Sequence, residues 1–333
     1  MSSIHDHQFG TLIHRGTTSE VWHATRLGPN GFSVPVALKT LNEVCATGQD
    51  QVRSFLKEAR AASAVQHPNV VRVRELIFDS NRYWMSMELV RGWSLRALLH
   101  AIEVTREPMP VALALALVRD AARGLHAIHE AGLVHRGVAP DNLMISAEGQ
   151  LVVLDFGLAT WRQTQRIRFT PPVEVLDPMY ASPDLRARLP VDARTDVYSL
   201  GALLNQLIPA RANAPVALDA IIRRALDPDA DRRFPTAQAL EVAIDLVSIR
   251  EGWLVPPSFV SAFLNDVFRT APGRPAEPPV REPAVRPAGS GPLPFPSRAV
   301  LPRGRRTVGV GAMLPSSLDA DDPAWHELLH DDD

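Results

Sequence analysis

Prolines set the limit on where this chain can fold. From Pro272 to Pro302 they recur every few residues, with Arg, Gly and Ala between them. Proline fixes φ and removes a backbone donor, so such a stretch forms neither a helix nor an inner strand. Residues 271–300 therefore read as a disordered or polyproline-like linker. The linker leads to a basic cluster, Arg303-Gly304-Arg305-Arg306, and then to an acidic segment from Asp319 to Asp333. Within that segment Trp325, Leu328 and Leu329 fall at i, i+3 and i+4, one face of a short helix. Asp322-Pro323 supplies an N-cap followed by proline at the first helical position. A globular domain has to be built from the residues before Ala271.

Those residues read as strands and then helices. Phe9–Ile13, Glu20–Ala24 and Val34–Thr40 are apolar and β-branched runs between turn residues such as Gly28-Pro29-Asn30-Gly31. Gln51–Gln66 carries Phe55, Ala59, Ala62 and Val65 at helical spacing and stops at His67-Pro68-Asn69. Strands are expected at Val70–Leu76 and Tyr83–Leu89. Helices are expected at Pro110–Ala131 (ended by Gly132), Val191–Leu207, Val216–Ala225 and Thr236–Arg250. A β-rich first third before a helical remainder suggests two lobes.

Composition narrows the function classes. The chain is 46% hydrophobic and 22% charged, ordinary for a soluble globular protein. A net charge of −2 offers no basic field for nucleic acid or an anionic membrane. The longest apolar run, Val111–Val118, is far too short to span a bilayer. The polar N-terminus reads as no signal peptide. The single cysteine, Cys45, has no partner for an intrachain disulfide and fits a reducing, cytoplasmic setting.

The chemistry-bearing residues come in a fixed order. Lys39 closes the apolar strand Val36-Ala37-Leu38-Lys39, an expensive place for a cation unless an anion meets it. Glu58 lies on the helix that follows. Then come His67-Pro68-Asn69-Val70-Val71, Met87-Glu88-Leu89, and His135-Arg136-Gly137-Val138-Ala139-Pro140-Asp141-Asn142. The strand Leu151–Leu154 runs into Asp155-Phe156-Gly157. Tyr180-Ala181-Ser182-Pro183-Asp184, Asp196-Val197-Tyr198-Ser199-Leu200-Gly201 and Arg232-Arg233-Phe234-Pro235 complete the set. In order and spacing this set resembles the protein-kinase family of the bacterial serine/threonine type, from about Phe9 to Gly252.

The resemblance implies an α+β bilobal fold with a β-rich N-lobe over residues 1–88, a mainly helical C-lobe over 89–268, and a tail over 269–333. It implies ATP and Mg²⁺ as cofactors. Lys39 matches the lysine that holds the α- and β-phosphates, and Glu58 its ion-pair partner. Asp155 and Asn142 match the two metal ligands. Val21 and Ala37 match the roof over adenine and Met144 its floor. Glu88 and Val90 sit where hinge backbone groups meet the base edge. Signalling proteins, including an active kinase or its substrate, are the implied partners.

The departures from the family pattern are concentrated where phosphate moves. His14-Arg15-Gly16-Thr17-Thr18-Ser19-Glu20-Val21 keeps one glycine, Gly16, of the family's three. Glycine there lets backbone N–H groups approach phosphate with no Cβ in the way. Gly137 replaces the catalytic-loop aspartate and Ala139 the lysine that neutralises the transferred phosphoryl group. Asp177 stands where the serine/threonine class bridges those two side chains with a threonine. A positioned base is worth about 10²–10⁴-fold, and a charge stabiliser about 10²–10³-fold. The connection from Leu207 to Val216 is also short for the family, which bears on protein docking. Two readings follow. One is a pseudokinase, a nucleotide-responsive or scaffolding module. The other is a weakly active serine/threonine kinase that transfers the ATP γ-phosphate to protein hydroxyls, with Asp177 or Asp141 as a displaced carboxylate.

Overall fold

The computed structural model describes residues 4–16, 18–155, 160–161, 177–208 and 215–270. Five antiparallel strands come first in space as in sequence: β1 (His7–Arg15), β2 (Ser19–Leu27), β3 (Ser33–Leu41), β4 (Val73–Asp79) and β5 (Arg82–Glu88), in the order β1-β2-β3-β5-β4. Alternation sorts their side chains onto two faces. One face carries Ala24, Val36, Leu38 and Ile77, closed by Ile4 with Phe9, Trp22 and Trp84. The other puts Leu41 and Met85 against Phe55 and Ala59 of helix α1 (Gln49–Ser63).

The remainder is mainly helical. Strand β6 (Gly92–Ser94) leads into α2 (Leu95–Thr105), whose N-cap Ser94 accepts from the Ala97 N–H at 3.1 Å. Helix α3 (Val111–Glu130) is the central element. Its Leu113, Leu117, Leu125 and Ile128 are buried, and Gly132 (φ 81°) stops it in the left-handed region that favours glycine. Strands β7 (Leu133–Val134), β8 (Leu143–Ser146) and β9 (Leu151–Val153) follow, with β6-β8-β9 forming a small sheet. Then come α4 (Pro183–Arg186), α5 (Arg194–Leu207), α6 (Val216–Ala225), α7 (Ala237–Arg250) and α8 (Pro257–Thr270).

The joint between the sheet and the helices is a hydrogen-bonded segment where the sequence suggests the start of a strand. Val70 and Val71 are not part of β4. They run beside β9, with Val71 N–H donating to Val153 O at 2.9 Å and Val153 N–H to Asn69 O at 2.8 Å. The Asn69 amide donates to Leu151 O at 2.7 Å. β4 therefore begins three residues later than the expected Val70 and runs to Asp79. The helix expected from Val191 begins at Arg194, because the Asp192 carboxylate accepts the Arg194 N–H at 2.8 Å and holds a turn there. Helices α2 and α8 add to the elements expected from sequence. The proline-rich linker, the acidic segment, Phe156, Gly157 and most of the 208–215 connection lie outside the described residues.

Candidate functional site

The register of the sheet places Val21 opposite Lys39 and Ala37 opposite Met87, so these side chains share one face. That face is buried at Ala37 and Lys39. Helix α1 brings Glu58 to it, and the chain after β9 brings Asp155. The Lys39 ammonium donates to the Glu58 carboxylate in a short contact and to Asp155 Oδ1 at 3.0 Å. Burial opposes the Lys39 charge, but the Asp155 and Glu58 carboxylates outweigh it and raise its pKa. Burial pushes the Glu58 carboxyl up to about 7; Lys39 pulls it down and the neighbouring Asp155 charge adds to the rise. With both carboxylates ionised, one ammonium between them leaves a local charge of −1. That charge repels a phosphate and is reversed by one divalent cation.

A second group of residues approaches from β7–β9. The loop from His135 to Asn142 is held from below by Asp196, a fully buried carboxylate on α5. It accepts from His129 Nε2 at 2.8 Å, the His135 N–H at 2.9 Å and the Arg136 N–H at 2.8 Å. The His135 ring lies 3.0 Å from Leu154 O, and its Nδ1 accepts the Gly137 N–H at 3.2 Å. Arg136 (φ 59°) and Asp155 (φ 59°) both sit in the left-handed region. Non-glycine residues persist there when their surroundings over-determine them, as these bonds do. The Asn142 amide nitrogen donates to Gly137 O at 2.7 Å, which leaves the amide oxygen as the atom that can meet a cation. Among the described residues no cluster of three or more His, Cys, Asp or Glu side chains could hold a metal by itself. Asp155 and Asn142 fit Mg²⁺, which keeps waters and takes phosphate oxygens as ligands.

The remaining expected residues divide. Met144 lies on β8 opposite Ser94 and Val152. At the hinge, the Glu88 N–H is already donated to Arg72 O at 2.9 Å, so of Glu88 and Val90 only Val90 has its N–H to offer a base edge. The β1–β2 turn is closed by the Gly16 N–H donating to Ser19 O at 2.8 Å, with Arg15 paired to Glu20 at 3.0 Å. A Cβ on Gly16 would lie 3.3 Å from His14 Nε2, so the imidazole packs against this turn.

Asp141 and Asp177 are brought together by a residue the sequence did not single out. Arg96, on the first turn of α2, donates to Asp141 Oδ2 from Nε at 3.1 Å and from Nη2 at 2.9 Å, and from Nη2 to Asp177 Oδ2 at 3.2 Å. The Asp141 carboxylate bonded to it raises its pKa further. Asp177 Oδ1 accepts the Met179 N–H at 3.1 Å. Arg96 is one of many surface arginines in the sequence, and no local pattern marks it. A second unexpected pair lies deeper. Arg233, fully enclosed, donates to Asp184 Oδ1 at 2.7 Å and to the backbone carbonyls of Asp227 and Arg194 at 2.8 and 3.2 Å. It ties α4 to the segment before α7.

The sequence is similar to those of known proteins. The protein kinase domain family matches residues 8–239. The chain is 37% identical over 206 residues to the serine/threonine-protein kinase PkaB of Streptomyces coelicolor, covering 59% of this chain and 47% of that one. It is 31% identical over 265 residues to the tyrosine-protein kinase MasK of Myxococcus xanthus, covering 69% and 41%. It is 30% identical over 301 residues to the serine/threonine-protein kinase PknB of Mycobacterium tuberculosis, covering 80% and 46%. The chain thus spans less than half the length of these curated relatives.

Proposed function

The chain belongs to the protein kinase domain family, with a serine/threonine-kinase-like domain, and on that premise we propose that it is a pseudokinase. In this reading it binds a nucleotide with Mg²⁺ and presents its folded state to signalling proteins, such as an active kinase or its substrate. Protein kinases as a family use ATP and Mg²⁺. The observation that carries the reading is the buried contact of Lys39 with Glu58 and Asp155 beside a loop that offers Gly137 and Ala139. The phosphate-holding lysine is paired and charged. The positions that would orient an attacking hydroxyl and neutralise the phosphoryl group carry no functional side chain. Lys39 holds the α- and β-phosphates, Glu58 fixes Lys39, Asp155 and Asn142 take Mg²⁺, and Val21, Ala37 and Met144 enclose the base.

The second reading, a weakly active kinase, is favoured by the convergence of Asp141 and Asp177 on one guanidinium. We place it second because the oxygens that converge are the ones engaged by Arg96.

A thermal-shift experiment beside a phosphotransfer assay tests both. A ligand that binds only the folded state stabilises it by about 2.7 kcal/mol at 100 times Kd. Millimolar Mg·ATP is expected to raise the Tm, ATP with chelator to raise it much less, and Lys39→Met to abolish the rise. No shift at several millimolar would sink the nucleotide-binding reading. Reproducible transfer to protein hydroxyls above background would sink the pseudokinase reading, and its loss in Asp177→Ala or Asp141→Ala would support the second.

A further inference from the structure

Strand register carries His14 onto the cleft face of the sheet. His14 lies opposite Val21 in the β1–β2 pair, and Val21 lies opposite Lys39 in the β2–β3 pair. Residues directly opposite each other in neighbouring strands share a face, so His14, Val21 and Lys39 form one row across the sheet. Lys39 fixes which face this is, because its ammonium meets Glu58 and Asp155. The flanking residues check the assignment from the other side. Arg15 pairs with Glu20 at 3.0 Å, and Trp22 Nε1 donates to Glu20 Oε2 at 3.3 Å. Trp22 itself packs with Phe9 on the outer apolar cluster. The row on the cleft face thus runs from an exposed imidazole at the β1–β2 turn to the buried lysine.

The turn beside His14 has already committed part of its backbone. Glycine-rich turns hold phosphate with backbone N–H groups, but here the Gly16 N–H is spent on Ser19 O at 2.8 Å. Thr18 O accepts the Asn42 N–H at 2.9 Å, which ties the turn to the end of β3. The imidazole lies against that turn, with Nε2 3.3 Å from where a Gly16 Cβ would be. An imidazole donates from one ring nitrogen when neutral and from both when protonated. We propose that His14 contacts the nucleotide and donates to its polyphosphate, taking the part that backbone N–H groups play in a glycine-rich turn. The inference rests on the nucleotide-binding reading and deepens it. The polyphosphate becomes the part of the ligand that the cleft selects, over a bare nucleoside, with His14 and Lys39 meeting it from two strands of one sheet.

Titration calorimetry on the full chain with Mg·ATP and with adenosine tests this. His14→Phe keeps a flat ring and removes the donor, His14→Gly removes the side chain, and His14→Gln keeps a donor. The Phe and Gly variants are expected to bind Mg·ATP about 10- to 100-fold more weakly, the size of one hydrogen bond to a charged group. His14→Gln is expected to retain most of the affinity, and adenosine to bind every variant as it binds the native chain. His14 is exposed, so the Tm without ligand should not move. Unchanged Mg·ATP affinity in His14→Phe overturns the proposal. Tighter binding by His14→Gly overturns it by making the imidazole an obstruction. Equal losses for adenosine and Mg·ATP overturn it by assigning His14 to the shape of the turn. A native chain that binds adenosine but not Mg·ATP overturns this inference alone, whereas one that binds neither takes down the nucleotide-binding reading as well.

Discussion

A carboxylate with no exposure to solvent persists at position 196 because three donors meet it. Burial alone would raise its pKa, but the hydrogen bond and charge of His129, with the His135 backbone, bring it below the ordinary aspartate range. Asp196→Ala leaves the His135 and Arg136 N–H groups buried and unpartnered, and removing one partner of a buried charged contact costs about 3–5 kcal/mol. Denaturant unfolding is expected to show a loss of that order. The pH dependence has a definite sign. A carboxyl whose folded pKa is depressed contributes stability that is complete above its unfolded value, about 3.9, and is lost as pH falls through the folded one. Asp196→Asn should therefore give a flatter stability profile below about pH 4 than the parent. The loop that Asp196 supports carries the chemical losses. Gly137→Asp with Ala139→Lys is expected to raise phosphotransfer well above either change alone, because both act on one phosphoryl group and couple. A radiometric assay at background for the double variant would move the fault to the Gly16 turn, against which the His14 imidazole packs, or to the Arg96 clamp.

At the scale of elements, the helix α3 reaches the sheet's connecting segment through a glycine. A Cβ on Gly124 would lie 2.5 Å from Asn69 O and 3.0 Å from a Val153 methyl. Gly124→Ala should raise helix propensity and still lower stability by about 1–3 kcal/mol, since overpacking displaces a backbone carbonyl that bonds β9. A rise in Tm would contradict that packing. Element type was readable from periodicity alone for β1–β3, β5, α1, α3, α6 and α7, where long apolar patterns have one solution. The starts of β4 and α5 were not, because Val70 and Val71 satisfy β9 instead of β5, and Asp192 satisfies the Arg194 N–H. α2 and α8 are marked locally, by Ser94 as a cap and Pro257 at the first helical position. Trp93 stacks on Phe268 of α8 with ring centroids 4.7 Å apart.

For the whole molecule, we expect the folded unit to end near Thr270. Val260, Leu264, Val267 and Phe268 of α8 are buried in the main core, and the proline-rich sequence begins directly after it. Limited proteolysis should cut first between residues 271 and 302 and leave a resistant fragment ending near α8. Cuts within α8 that precede those in the linker would contradict this boundary. Among the described residues no helix is long and apolar enough to cross a membrane.

The sequence by itself determined the family and the order of most strands and helices, and it marked Lys39, Glu58, Asn142 and Asp155 as candidate site residues, of which the fold brings Lys39, Glu58 and Asp155 into contact. It also showed the absence of acid and base at Gly137 and Ala139. These are properties of residue type and spacing, and spacing along a chain survives folding. Only the tertiary structure decided that Arg96 joins Asp141 to Asp177, that Arg233 is enclosed against Asp184, and that Glu88 spends its N–H on Arg72 O. Each of these joins residues at least 16 positions apart, and no local pattern selects one arginine or one amide over its neighbours.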